Sequence, residues 1–238
     1  MHEDEAALLE RIRAQFTVHF EPLAIDDISL QVLAIDNMQE HIDKLLARHS
    51  VKNPLRDLPL WAKVWPGSLV LGRLLRKYEP NGKTMLELGC GMGLVSLIAA
   101  HYGFSHIDCT DVNEQALLFA RANILHNGLD DRITVSQLDL QVPTPNHADR
   151  PIYDIIAASE LLYLPELHTP ILKFAAAHLA PSGLALFCTD RARRQKDFPK
   201  KAAKYFNCQE GNIGIKTKDG DTVERHVYGI TILKRNAS

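Results

Sequence analysis

The chain has 238 residues, 46% of them hydrophobic and 24% charged, with a formal net charge of −2. That length suits one α/β domain with an appendage, and that composition belongs to a soluble chain able to bury a sizeable core. A balance so close to neutral lacks the basic footprint of a nucleic-acid or membrane-surface binder, so neither partner is expected.

In chain order, residues 1–58 read as an N-terminal α/β extension and 59–238 as the main domain. The extension opens with a helix over 3–13, a strand with imperfect alternation over 29–35, and a helix from 37 or 38 to 49. Met38, Ile42, Leu45 and Leu46 share one face of that second helix. The turn-rich Lys52-Asn-Pro-Leu-Arg-Asp-Leu-Pro59 marks the boundary. Pro66 fits the first turn of the next helix, with Leu69, Val70, Leu74 and Tyr78 inward, and Asn81-Gly82 ends it. A strand over 84–88 leads into a helix over 94–102 closed by Gly103, then a strand over 106–110 and a helix over 113–126. Strands over 133–138 and 155–158, a helix over 165–179 ended by Ala180-Pro-Ser-Gly183, and a strand over 184–188 continue the alternation. Such alternation predicts a mostly parallel sheet covered on both faces. Segments 207–215 and 222–233 flank Lys218-Asp-Gly-Asp221, a hairpin signal, so the seven-stranded sheet is expected to finish with an antiparallel pair.

Cys90, Cys109, Cys188 and Cys208 are widely spaced, with no CxxC. They read as free thiols in a reducing cytoplasm. The acidic, amphipathic N-terminus is unlike a signal peptide, and no apolar run approaches the roughly 20 residues of a membrane span.

The most informative segment is Met85-Leu-Glu-Leu-Gly-Cys-Gly-Met-Gly-Leu-Val95, a strand running through a glycine loop straight into a helix. Glycines there let the chain turn sharply and let a ligand approach the backbone. The dinucleotide fingerprint needs glycine at the position held by Leu94, and no P-loop lysine is present. The spacing Glu87-Leu-Gly-Cys-Gly-Met-Gly93 resembles motif I of the class I S-adenosylmethionine-dependent methyltransferases, acidic-x-Gly-x-Gly-x-Gly, and so implies a Rossmann-like fold and that cofactor. The resemblance implies that Gly89, Cys90, Gly91 and Gly93 hold the amino-acid portion, with Glu87 near it. A carboxylate suits a ligand carrying a sulfonium and an ammonium. Asp111, about 20 residues past the loop at the end of the next strand, matches the family's ribose-binding acid; an N-cap role suits the same residue. Asp139, one strand further on, is implied at the adenine amino group, although an Asp in a loop needs no ligand to explain it. Val112, Leu140 and Ser159 complete the expected cofactor set, together with Trp65.

Methyl transfer from a sulfonium needs mainly a positioned, deprotonated nucleophile. No GxSxG occurs, and the 11 histidines include no HExxH, so neither a nucleophilic triad nor a metal is expected. Past the strand over 155–158 the chain reads Ala158-Ser-Glu-Leu-Leu-Tyr163. Glu160-x-x-Tyr163 resembles the Asp/Glu-x-x-Tyr motif of a seven-strand protein-lysine methyltransferase family. Leu60-Trp-Ala-Lys-Val-Trp-Pro-Gly67 is similar to the Trp-x-x-x-Trp-Pro-Gly run of the electron-transfer-flavoprotein β-subunit lysine methyltransferases. These resemblances imply a protein lysine as acceptor, its amine held by Glu160 and Tyr163; Glu160 as a cap on the helix near Pro165 is the plainer alternative. Trp61 and Trp65 suit either a cofactor pocket or a helix-capping core. The basic stretch 191–204, with Arg191-Ala-Arg-Arg194, reads as a solvated helix face or a surface for an acidic partner. A small-molecule amine methyltransferase shares the same cofactor motifs, and an inactive cofactor-binding module is the rival from outside enzymes. Nothing in the sequence indicates an oligomeric state.

Overall fold

Apolar periodicity places the N-terminal elements first. In α1 (Glu5–Arg13), Leu8, Leu9 and Ile12 are buried, and Asp4 caps the helix by accepting from the Ala6 N–H. A hairpin of β1 (Val18–Ile25) and β2 (Ile28–Ile35) follows, its two-residue turn carrying Asp26 at φ 53, a conformation that aspartate tolerates better than most residues. β1 is not among the expected strands: Val18, His19, Phe20 and Glu21 alternate between partly buried and exposed, but Pro22 interrupts the pattern. Then come α2 (Met38–Ala47) and α3 (Pro54–Asp57).

The structure is a computed structural model that describes residues 4–48, 51–52, 54–142, 149–193, 196–219 and 222–236. Glu3, His49, Asn53, Arg194 and the Gly220-Asp221 tip, each part of an expected segment, lie outside these.

After a 3-10 turn over Leu60–Ala62, α4 (Pro66–Leu75) starts on its proline. The alternation then unfolds as β3 (Thr84–Leu88), α5 (Leu94–His101), β4 (His106–Asp111), α6 (Glu114–His126), β5 (Ile133–Gln137) and β6 (Tyr153–Ser159). Next are α7 (His168–His178), β7 (Leu179–Asp190), α8 (Phe198–Ala202), β8 (Phe206–Asp219) and β9 (Thr222–Arg235). The seven-stranded sheet has the order β5-β4-β3-β6-β7-β9-β8; β3 to β7 are parallel, and β9 runs antiparallel to both β7 and β8. Chain order reverses between β3 and β6, which opens a crevice at the carboxyl ends of β3, β4 and β6.

Successive side chains of the central strands face opposite sides. Met85, Ile107 and Ile155 join α4, α5 and α6 in one core, whereas Leu86, Ile156 and Ala158 meet α7 and α8 in another. Leu8, Ile12, Ile25, Leu30 and Val32 of the N-terminal extension belong to the first of these cores. Asn123 of α6 and Asn127, the C-cap of that helix, tie the extension down. Asn127 both accepts from the Gln31 N–H and donates to its carbonyl. Buried Asn123 accepts from the Leu33 N–H at 2.7 Å and donates to the Met92 carbonyl at 2.9 Å, linking β2 to the glycine loop.

Two expectations are corrected. The helix over 165–179 is a 3-10 turn (Pro165–Leu167) followed by α7, and Leu179 already belongs to β7. Residues 180–183 form an irregularity inside β7, where pairing jumps from Tyr153↔Leu179 to Ile155↔Leu184. The basic stretch is not one solvated helix. It holds a 3-10 turn (Arg191–Arg193), started by Asp190 accepting from the Ala192 N–H, and the short α8, which buries Phe198 and Ala202.

Candidate active site

The crevice holds a cavity of about 440 Å³. Its first wall is the glycine loop, where Gly89, Gly91 and Gly93 take φ of 66, 54 and 83. The loop is stitched by Cys90 N–H donating to the Thr110 carbonyl and Gly93 N–H to the Cys90 carbonyl, both at 2.9 Å. A Cβ on Gly91 would lie 2.7 Å from the Trp61 carbonyl oxygen, so glycine is demanded there by the protein's own backbone as well as by its φ.

Asp111, at the end of β4, accepts from the Gly91 N–H on one oxygen and the Asn113 N–H on the other, each at 2.9 Å. It thereby fixes the loop while each oxygen keeps capacity for a ligand hydroxyl. Burial raises its carboxyl above the ordinary range, against the backbone N–H groups that pull it down. Beyond it the wall includes Val112, 53% exposed despite being apolar, and Leu138, Asp139 and Leu140. Asp139 turns one oxygen onto the Gln141 N–H at 2.8 Å.

Of the sequence-derived positions, Trp65, Gly89, Cys90, Gly91, Asp111, Val112, Asp139, Leu140, Ser159, Glu160 and Tyr163 all line this one cavity. Glu87 and Gly93 are not on its wall. Glu87 is 2% exposed and accepts from the Ser96 N–H and hydroxyl in the first turn of α5; burial pushes its carboxyl up to about 8. Gly93 is the N-cap of α5. Cys90 holds a neutral thiol, raised by burial and by Cys109 beside it. Among the described residues no group of three could hold a metal ion, and no helix is long and apolar enough to cross a membrane.

The opposite wall begins where β6 ends. Glu160 has φ 53 and donates its N–H to the Cys188 carbonyl at 2.8 Å. A non-glycine residue in that region costs about 1–3 kcal/mol and persists only where its surroundings fix it. They do so here. Glu160 Oε1 accepts from the Asp190 N–H at 3.0 Å, and Oε2 lies 3.2 Å from Arg193 Nη2. Gly67, in the first turn of α4, leaves the space: a Cβ there would lie 2.7 Å from Glu160 Oε1 and 3.0 Å from Ser159 Oγ. The carboxylate therefore sits at the start of α4, where the helix dipole favours negative charge. It does not cap α7. Burial raises the Glu160 carboxyl, while Arg193 and the Asp190 N–H pull it back.

The Arg193 guanidinium lies 5.1 Å from the Trp65 ring centroid and 5.9 Å from that of Tyr163. Sequence reasoning left Arg193 inside a basic stretch; its only local signal is its place just after β7. Trp65 is fixed by its indole N–H, which donates to the Leu60 carbonyl at 2.9 Å. Trp61 fits both of its readings, since it lines the cavity and also packs edge-on against Phe119, centroids 4.9 Å apart. Burial raises the Tyr163 phenol, so its hydroxyl stays protonated near neutrality. Ser159 Oγ and Glu160 Oε2 are buried without a hydrogen-bond partner among the described residues, the condition of polar atoms that await a ligand or water.

Residues 51–206 match the family model described as lysine methyltransferase. The chain is 29% identical over 181 residues to "Protein N-lysine methyltransferase METTL21A" of Danio rerio, a match covering 72% of this chain and 81% of that protein. It is 31% identical over 93 residues to the ribosomal protein L11 methyltransferase of Thermotoga neapolitana, covering 39% of this chain but only 34% of the relative. Among solved structures, an SAM-dependent methyltransferase from Agrobacterium tumefaciens superposes with a TM-score of 0.61 at 16% identity, over 90% of this chain and 70% of that one.

Proposed function

The chain belongs to the lysine methyltransferase family and uses S-adenosylmethionine, and on that premise we propose that it methylates a lysine side chain of another protein, with Glu160 and Tyr163 holding the amine. The zebrafish relative, by its name, acts on protein lysine. The absence of a basic footprint speaks against nucleic acid as acceptor. Four cysteines, none of them in a disulfide, fit a reducing cytoplasm.

The cavity residues fit the cofactor. Gly89, Cys90 and Gly91 offer backbone to its amino-acid portion, and Asp111 offers two oxygens to a ribose. Val112, Asp139 and Leu140 suit the adenine, with Trp65 and Ser159 on the facing wall. Glu87 ties the end of β3 to the first turn of α5, and Gly93 ends the loop as the N-cap of that helix. When bound, S-adenosylmethionine supplies a methyl group on a sulfonium, whose departure as a neutral thioether needs no acid.

The protein's task is then to present the amine. A lysine has a pKa near 10.4, so below about 0.1% is neutral at pH 7, and it is the ammonium that arrives. Glu160 attracts and orients that cation, and the Trp65 and Tyr163 rings favour it further. A carboxylate beside an ammonium also favours keeping the proton, so Glu160 positions before it does anything else. Desolvation on docking drives the proton off, and burial makes Glu160 a readier acceptor than an exposed carboxylate. The Tyr163 hydroxyl fixes the remaining direction of the amine.

One observation carries this reading: a buried carboxylate in a strained backbone conformation faces a cation between two aromatic rings. The test is incubation with radiolabelled cofactor and a cell lysate. Wild type is expected to label macromolecules. Glu160→Gln is expected to bind cofactor normally but transfer at least about tenfold less. Label confined to small molecules, or a fully active Glu160→Gln, overturns it.

A further inference from the structure

The cation now between Trp65 and Tyr163 belongs to the protein itself. Arg193 stands in a 3-10 turn immediately after β7, and its guanidinium faces Glu160, Trp65 and Tyr163 together. Resting on the lysine reading above, we infer that Arg193 occupies the acceptor subsite as an internal stand-in for the substrate ammonium, and that an incoming lysine must displace it.

Three features of its seat support displacement rather than permanent pairing. Glu160 Oε2, only 3.2 Å from Arg193 Nη2, is nonetheless buried without a hydrogen bond, so the pair lacks the alignment of a closed fork. Ser159 Oγ, close to the same carboxylate across Gly67, is likewise unsatisfied. The guanidinium thus supplies charge but leaves hydrogen-bonding capacity unused. A lysine ammonium, a compact charge with three rotatable donors, can fill what a planar fork cannot. Finally, the Arg193 side chain is 37% exposed while that of Glu160 is 7% exposed, so the arginine has solvent beside it when it leaves and the carboxylate does not.

Displacement has a functional consequence. The buried carboxylate is never without a counter-cation, whether acceptor is bound or absent, and a neutral side chain has no charge with which to compete for the seat. Arg193 therefore acts as a specificity filter, at the expense of acceptor affinity. If Arg193 holds the seat roughly nine-tenths of the time, removing it tightens acceptor-cation binding about tenfold.

The test uses n-butylammonium as a probe of the lysine side chain and n-butanol as its neutral counterpart, titrated into the protein bound to S-adenosylhomocysteine. The readout is the Trp65 indole N–H resonance, one of only two tryptophans in the chain. The expected result is saturable binding of butylammonium to Arg193→Ala at least about tenfold tighter than to wild type. Arg193→Gln should behave likewise, butanol should not bind, and Glu160→Gln/Arg193→Ala should lose the gain. Equal affinity in wild type and Arg193→Ala, or no saturable binding in either single variant, overturns the inference. No methyl transfer is read, so failure here is separate from failure of the lysine assignment, which the labelling assay decides.

Discussion

Replacing Gly67 by alanine tests whether the placement of Glu160 matters to the chemistry. The added Cβ would lie 2.7 Å from Glu160 Oε1, whereas ordinary contacts begin near 3.4 Å, so the carboxylate must retreat by roughly 0.7 Å. Retreat strains or breaks the 3.0 Å hydrogen bond from the Asp190 N–H. Losing a hydrogen bond to a charged group costs about 1.5–3 kcal/mol, and alanine in a helix recovers about 1 kcal/mol relative to glycine. Net destabilisation should therefore be about 0.5–2 kcal/mol, tolerable for a chain of this size. Transfer should fall about 10- to 100-fold, the scale expected when a positioning group moves by nearly an ångström. Cofactor affinity should change far less than transfer, because Gly67 is not itself on the cavity wall and the glycine loop and Asp111 are untouched, Ser159 being the one cofactor-side group the new Cβ approaches, at 3.0 Å. Gly72→Ala, in the same helix, is the control: its Cβ would meet Ile98, so it should cost stability while sparing transfer per folded molecule. The assay combines calorimetric cofactor titration, urea denaturation and label incorporation into protein. Wild-type transfer by Gly67→Ala, or parallel losses in both variants, would refute the argument.

Asp111→Ala should weaken cofactor binding by about 1–3 kcal/mol, since it removes ligand acceptors and also frees the Gly91 N–H that orders the loop. Unchanged affinity by calorimetry would remove Asp111 from the site. Glu87 makes a pH prediction. Its carboxyl is raised from 4.5 to about 8 in the folded, ligand-free protein. Between those values the folded state holds a proton that the unfolded state has released, so stability falls as pH rises, by at most about 1.4 kcal/mol per pH unit. Glu87→Gln should flatten that slope in urea denaturation curves taken between pH 5 and 8, and an identical slope in both proteins would refute the assignment.

What the sequence made legible was local in the chain. The glycine spacing, the acid at the end of β4 and the Glu160–Tyr163 pair each lie within one strand-to-helix junction, where turn chemistry leaves a direct mark. The parallel sheet with its antiparallel end followed from apolar runs and glycine-rich stops. What escaped depends on contacts between distant segments. Gly67 looks like an ordinary helix residue until Glu160 is laid against it, and Arg193 looks like solvated charge until the fold brings Glu160, Trp65 and Tyr163 to its guanidinium. Gly91 was legible as a sharp turn with room for a ligand, but not as the residue whose side chain the Trp61 carbonyl would exclude. Glu87 is implied near the cofactor by the motif, but the hydrogen bonds it accepts from Ser96, nine residues on in α5, leave no mark in the motif itself. β1 was hidden because Pro22 cuts its alternation to the four residues 18–21, and only the pairing with β2 shows that the strand runs on to Ile25.

The central claim is the chemical identity of the acceptor atom. Protein labelled from radioactive cofactor, hydrolysed to free amino acids and separated, reports that identity directly. Label is expected in ε-N-methylated lysine, present with wild type and sharply reduced with Glu160→Gln. Label recovered in methylated arginine or histidine, in base-labile carboxyl esters, or in no protein residue at all would contradict it.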